Sequence, residues 1–397
     1  MTEAPPAVPA GIARKRLLFL ATDYASFRWH KTEMTRAAVA AGFEVFVAAR
    51  CDRDPVEPPL PGVQVINLDW RRSGSLVRAG RDALADVWRV RRLMAGVRPD
   101  VLHTVDLKPA IIGSLALVGR PAIAVHSING FGFLFLSRSP LARVAQNLSL
   151  MTLRLSAAKN RGVIVVQNAE DARLARARIT AADGRVAVIR GSGLDPAQYP
   201  IQPLPPAPPV RFLVMARLLR MKGIGEAVAA QADLVRRGVA SELWVAGSPD
   251  PGNPSSITQA EIDAWAALPG VRFLGHVPDV RLVLAQCHAV VHPALGGEGL
   301  PRALLEAAAS GRTMIATAIP GNTEIVVDRQ TGLLVPPGDT AALATAMQSV
   351  VQQPDEARRW ATAARQIFVR DFAAEVVFEH HLRLYRGLVR GSAGLDS

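Results

Sequence analysis

The sequence predicts an α/β protein of two doubly wound domains, each a parallel sheet covered by helices. Three observations predict it. Short apolar runs alternate with helical stretches, the pattern of βαβ units. A proline-rich stretch, Pro203–Pro209 (PLPPAPP), interrupts the alternation, which then restarts. The 397 residues, 49% of them apolar, suffice for two cores of ordinary size.

The elements follow in order. Arg16–Thr22 (RLLFLAT) reads as a strand, with a helical stretch running to Ala41. Residues 43–49 and 63–68 read as strands, and 76–97 as an amphipathic helix. Strands 101–103, 122–126 and 162–167 then alternate with helices 110–118 and 141–158. Behind the prolines the strands are 211–215, 242–246, 272–274, 289–292, 313–316 and 333–335. A last helix is expected over 372–389. The domains are read as residues 1–202 and 203–371, with Pro203–Pro209 as the linker. Open α/β sheets bind ligands at the carboxyl ends of their strands, so two facing sheets would share a site in the cleft between them.

Composition narrows the class. Cys51 and Cys287 lie far apart in unlike contexts, which argues against a disulfide framework or zinc site and for a reducing compartment. Met1–Ala10 is acidic and proline-rich and does not read as a signal peptide. The longest uncharged apolar stretch, near Pro109–Gly119, is too short to span a bilayer. The expected location is cytoplasmic. The net charge of +12 lies wholly in residues 1–200, which hold 28 Lys and Arg against 16 Asp and Glu. That asymmetry suits an anionic partner, a membrane or a nucleic acid, although a high-GC genome that favours arginine would also produce it.

The second domain carries the chemistry. Arg217 and Lys222 lie on ARLLRMKGIGEAV, a loop leaving a strand and entering a helix, where two cations can grip a diphosphate. A solvated basic loop is the alternative. Residues 296–311, GGEGLPRALLEAAASG, place Glu298 in a loop at the mouth of a helix, with Pro301 at its first position and Glu306 in its second turn. Gly311 follows the helix as a cap would. A helix mouth suits a phosphate, because its N–H groups are free and its partial charge is positive. GHVPD, from Gly275, and IPGNTE, from Ile319, fall at two further strand ends.

Residues 298–339, EGLPRALLEAAASGRTMIATAIPGNTEIVVDRQTGLLVPPGD, resemble the donor-site signature of family 4 retaining glycosyltransferases. Their fold is GT-B, two Rossmann-like domains facing across a cleft. Glu298 and Glu306 meet the E-x7-E hallmark. The resemblance extends through ARLLRMKG and covers nearly the whole chain. FRWHKTEMTRAAVAAGFEV, HTVDLKPAIIGSLA, VHSINGFGFLF, VVQNAEDARLA and VIRGSGLD resemble bacterial transferases that extend polyprenyl-diphosphate-linked saccharides.

The resemblance implies roles. Arg217 and Lys222 would neutralise the donor diphosphate, on which charge grows in the transition state. Glu298 would hold hydroxyls of the donor sugar, and Glu306 the ribose. Gly275, His276 and Val277 would line the base. The backbone of Gly299, Leu300 and Pro301 would face the β-phosphate or the sugar. His126 would contact the donor sugar, or make a structural hydrogen bond at a strand end. His30, Lys31, Lys108 and Asn129 would bind the acceptor, with Lys31 holding a phosphate less well than an arginine fork. The donor would be a nucleotide sugar, with UDP the expected nucleotide. The acceptor would be a polyprenyl-diphosphate saccharide, or a soluble or lipopolysaccharide-core one. No cofactor, divalent metal or protein nucleophile is expected. The C-terminal helix would pack back on the first domain. Asn129–Ala145 (NGFGFLFLSRSPLARVA), with Phe133, Phe135, Arg138 and Arg143, suits peripheral attachment to an anionic membrane, or an ordinary core segment.

Two readings from other classes remain, each with less support. The basic residues are scattered through helices with no helix-turn-helix or base-stacking motif, so no nucleic-acid partner is expected. A dinucleotide-dependent oxidoreductase needs Gly-x-Gly-x-x-Gly after the first strand, and Ala21–Phe27 (ATDYASF) has no glycine. His380 and His381 point to different helix faces and cannot easily share an ion.

Overall fold

The computed structural model describes residues 15–51, 59–70, 76–131, 140–159, 162–182, 184–250 and 252–390. It divides into two compact units, one reaching Gly193 and resuming at Ala374, the other Leu194–Ala373.

The first unit begins β1 (Arg16–Asp23), α1 (Tyr24–Ala40), β2 (Glu44–Arg50), β3 (Val63–Asn67), α2 (Leu76–Val97) and β4 (Val101–Val105). It continues α3 (Leu107–Ala116), β5 (Ile123–Ser127), α4 (Pro140–Lys159), β6 (Val163–Val166), α5 (Ala169–Arg178) and β7 (Val186–Val188). The expected alternation is present, extended by α5 and β7. The strands form one parallel sheet in the order β3-β2-β1-β4-β5-β6-β7. Alternate residues face opposite sides of a strand. Leu18, Leu20, Leu102 and Ala124 therefore pack with α2 and α3, while Leu17, Phe19, Val101 and Val125 pack on the other side.

The second unit holds β8 (Val210–Met215), α6 (Ile224–Arg236), β9 (Ser241–Ala246), α7 (Gln259–Ala266), β10 (Val271–Gly275) and α8 (Val280–Leu284). Then come β11 (Ala289–His292), α9 (Arg302–Ala309), β12 (Thr313–Thr317), α10 (Pro320–Thr323), β13 (Leu333–Val335), α11 (Thr340–Gln352) and α12 (Pro354–Ile367). Its parallel sheet runs β10-β9-β8-β11-β12-β13. The order reverses between β8 and β11, so the loops leaving these two strands diverge and open a crevice at their carboxyl ends.

The last helix, α13 (Ala374–Arg390), belongs to the first unit. Val377, Phe378, Leu384 and Tyr385 enter the core that holds Leu17 and Phe19. Among the described residues no helix is long and apolar enough to cross a membrane.

The proline stretch is not a free linker. It belongs to the second unit, and the unit boundary falls ahead of it at Gly193. Proline lacks an N–H but keeps its carbonyl. Arg312, 1% exposed, donates to the carbonyls of Gln202 at 2.9 Å and Pro203 at 3.3 Å. His288 Nε2 lies 3.1 Å from the Pro205 carbonyl oxygen. A buried guanidinium needs acceptors, and this segment supplies them.

Candidate functional site

The site assembles where the second sheet reverses. After β8 the chain makes a short 3-10 turn, Arg220–Lys222, and enters α6 through Gly223. Gly223 has φ +72, and a Cβ there would stand well inside contact distance of the Pro293 carbonyl oxygen. After β11 the chain runs through Gly296 and Gly297, both at positive φ, to Glu298. The Leu295 N–H donates to the Met221 carbonyl at 2.9 Å, tying the two loops together. After β12, Gly321 packs so closely on the Gly299 carbonyl that a Cβ has no room. The glutamate loop is thus wedged between two neighbours at glycine contacts.

Lys222 Nζ donates to Glu298 Oε1 in a pair whose side chains are 18% and 13% exposed. Burial pushes the Glu298 carboxyl up, but Lys222, His292 and Arg217 together hold it below its usual range. Arg217 is more open and donates to Asp250 at 3.1 Å. Two cations therefore stand at the reversal point, Lys222 on the ionised Glu298 and Arg217 on Asp250. His292, at the end of β11, is 3% exposed. Burial lowers its pKa to about 4, Glu298 pulling up and Lys222 down, and its Nε2 makes no hydrogen bond.

Glu306 is 3% exposed, and its Oε1 accepts from Arg302 Nε at 2.8 Å and from Tyr199 OH at 3.0 Å. Burial raises its pKa, partly offset by Arg302 and Tyr199. Pro301 is the N-cap of α9 and not its first helical residue. Leu300 is buried in an apolar cluster against which Val277 packs. Gly275 and His276 are exposed at the end of β10.

The first unit corrects several expectations. His126 does not face a ligand. It is fully buried on the α3/α4 side of the sheet. Its Nδ1 lies 2.8 Å from Thr104 Oγ1, and its Nε2 lies 2.9 Å from Ser156 Oγ and 3.2 Å from Ser114 Oγ. A buried imidazole needs partners for both nitrogens, and three hydroxyls satisfy them. These contacts fit the structural alternative, a buried strand-end histidine with its ring nitrogens bonded. Lys31 lies well inside α1, 3% exposed, and burial lowers its pKa to about 8 with Asp106 opposing. It is not an open loop cation. His30 is half-buried beside it. Lys108 pairs with Asp86 at 3.3 Å and stands 4.8 Å from the Trp70 ring centroid. Asn129 donates to Asp106 Oδ1 at 2.7 Å and accepts from Gln167 Nε2 at 3.0 Å. Phe133, Phe135 and Arg138 lie outside the described residues.

His126→Ala should leave donor turnover of the folded enzyme within about threefold. It should cost about 1–3 kcal/mol of stability through the stranded hydroxyls. Burial lowers the pKa of His126 to about 4, below the unfolded value, so its stabilisation is complete above about pH 6.5. It is lost as pH falls from there towards 4, at about 1.4 kcal/mol per pH unit. Thermal unfolding between pH 7 and 4 checks this, and the variant should show a shallower decline.

Sequence reasoning missed Tyr199, Arg302, His292, Asp250, Asp106 and Gln167. Asp250 and Gln167 had a findable signal, since each follows a strand end. Asp106 also ends a strand and has φ +73, which is rare for a non-glycine residue. Tyr199 lies beside a 3-10 turn that no periodicity marks.

Two doubly wound parallel sheets define a GT-B fold. The sequence profile described as "Glycosyl transferase 4-like domain" matches residues 28–191, and "Glycosyl transferases group 1" matches residues 209–353. The chain belongs to the family 4 glycosyltransferases. It is 34% identical over 209 residues to the glycogen synthase of Mycobacterium tuberculosis, covering 52% of this chain and 49% of that one. The chain thus spans about half the length of this relative. The sucrose-phosphate synthase of Thermosynechococcus elongatus has a similar structure, with TM-score 0.80 and 21% identity over 96% of this chain and 100% of that one. Anabaena HepE, solved with UDP and glucose, gives TM-score 0.70 and 17% identity over 94% and 100%.

Proposed function

We propose that the protein transfers a sugar, with retention, from a UDP-sugar to a polyprenyl-diphosphate-linked saccharide at the cytoplasmic face of a membrane. One observation carries the donor half: Lys222, Arg217 and Glu298 meet at the reversal point of the second sheet. A nucleoside diphosphate leaving group gains negative charge as the glycosidic bond breaks, and two fixed cations stabilise it without reorganisation. Glu298, kept ionised by those cations, accepts hydrogen bonds from sugar hydroxyls. Glu306 accepts from the ribose, with Arg302 and Tyr199 fixing its orientation. Gly275, His276 and Val277 line the base. HepE, solved with UDP and glucose on the same fold, supports this donor class. The departing phosphate takes the acceptor's proton, so no protein nucleophile is needed. Asp106, Asn129 and Gln167 offer a carboxylate and two amides to acceptor hydroxyls.

The lipid-linked acceptor rests on the first-half motifs and the basic first unit. A soluble acceptor is the second reading, favoured by the names of glycogen synthase and sucrose-phosphate synthase. Nucleotide sugars incubated with and without a polyprenyl-diphosphate saccharide decide between them. Transfer should need a UDP-sugar and a lipid-linked acceptor. It should persist in excess EDTA, because protein cations take the place of a metal. Complete loss on chelation, restored by magnesium or manganese, would remove the metal-independent mechanism.

A further inference from the structure

Helix α4 is apolar on two sides. Leu150 and Leu153 face the core. Val144, Leu148, Met151 and Leu155 lie on the other side, each between 49% and 56% exposed. Their spacings of four, three and four residues place all four within about 60° on a helix of 3.6 residues per turn. The apolar face of a helix is normally covered. Here a stripe of about three turns faces outward.

The stripe has neighbours. Helices α2, α3 and α4 pack side by side on one face of the first sheet. Helix α2 turns Leu84 and Trp88 outward, 73% and 61% exposed, with Arg92 5.6 Å from the Trp88 ring centroid. Just after the end of α3, Val118 is 53% exposed. Single exposed apolar residues need no explanation, but such residues on two helices of one layer, and at the end of the helix between them, do.

Charge indicates what covers it. The sequences of α2, α3 and α4 hold nine Lys and Arg against two Asp and Glu, a net of +7. One of the two acids, Asp86, is buried and paired with Arg89 and Lys108. The opposite layer, α1 and α13, has six against three. A second copy of the chain would bring +7 against +7, so self-association through this face is opposed. An anionic surface meets both features: basic groups reach lipid phosphates while Trp, Leu and Met enter the acyl boundary.

We infer that the outward face of α2, α3 and α4 docks this protein on an anionic membrane. The inference rests on the lipid-linked-acceptor reading for its purpose. Helices α3 and α4 follow β4 and β5 in the chain, and Asp106 and Asn129 lie just past the carboxyl ends of those strands. A docked face would hold those strand ends near the headgroups, where a lipid diphosphate emerges.

The test is co-sedimentation of the full chain with phosphatidylcholine vesicles, with and without phosphatidylglycerol. Binding should require the anionic lipid and weaken as salt rises. Leu148→Ser with Met151→Ser should weaken it about tenfold or more, with the circular dichroism spectrum and donor hydrolysis unchanged. Arg92→Glu with Arg143→Glu is the second variant, and it leaves the apolar stripe intact. It should also weaken binding. Wild type that ignores anionic vesicles, or serine and glutamate variants that bind like wild type, would overturn the inference. So would a concentration-dependent dimer that the serine variant abolishes, since a second copy would then cover the stripe. Docking without transfer to a lipid-linked saccharide would instead remove the acceptor reading and leave the surface standing.

Discussion

Lys222→Ala should lower sugar transfer by about 100- to 1000-fold, with the fold intact. In the proposed mechanism one fixed donor to the developing charge is lost, and removing such a donor costs about that much. The geometry adds a second effect. Lys222 is the leading influence that keeps the largely buried Glu298 ionised against its burial. Without it the carboxyl pKa should rise, so the acidic limb of the pH–rate profile should move to higher pH. A merely structural lysine would not produce that shift. Arg217→Ala should cost less, about tenfold, because its side chain is 62% exposed and solvent screens it. Lys222→Arg restores charge and should recover part of the loss. Near-normal transfer by the double alanine variant would sink the assignment.

Gly321→Ala should abolish donor binding and destabilise the second unit. A methyl at this position would overlap the Gly299 carbonyl, and that carbonyl is backbone, which cannot rotate away. Relief requires α10 or the glutamate loop to move. Overpacking of this kind costs about 1–3 kcal/mol and occasionally more. Displacing the loop would also carry Glu298 away from Lys222. Gly223→Ala should act from the opposite side, through its clash with Pro293 and its φ of +72. Gly42→Ala is a control for positive φ alone, since no atom lies within 4 Å of the position. Nucleotide titration and thermal melts check these outcomes. Gly321→Ala that binds UDP like wild type would show that the loop need not be wedged.

The two sheets were legible because buried parallel strands read as apolar runs between helical stretches. Thus 289–292 and 333–335 agree with β11 and β13, and 76–97 with α2. Arg217, Lys222 and Glu298 were legible because each falls where a loop leaves a strand. His126 looked much the same, since it too lies near a strand's end. Its pleat direction and the hydroxyls of Thr104, Ser114 and Ser156 come from three separate elements, and they turned it into a core residue. Lys31 likewise follows β1 in sequence but turns inward on α1.

By itself the sequence determined the parallel-sheet architecture, the family, and the loops proposed to carry the donor chemistry. Those depend on local periodicity and on short segments whose residues are neighbours in the chain. Only the tertiary structure decided which charges pair, where the proline stretch belongs, and which apolar residues stay uncovered. Lys222 and Glu298 are 76 positions apart, and Tyr199 and Glu306 are 107 apart. The outward stripe of α4 shares the periodicity of its buried side, so composition cannot tell them apart. Burial is a property of what lies across from a residue, and the chain brings that partner from elsewhere.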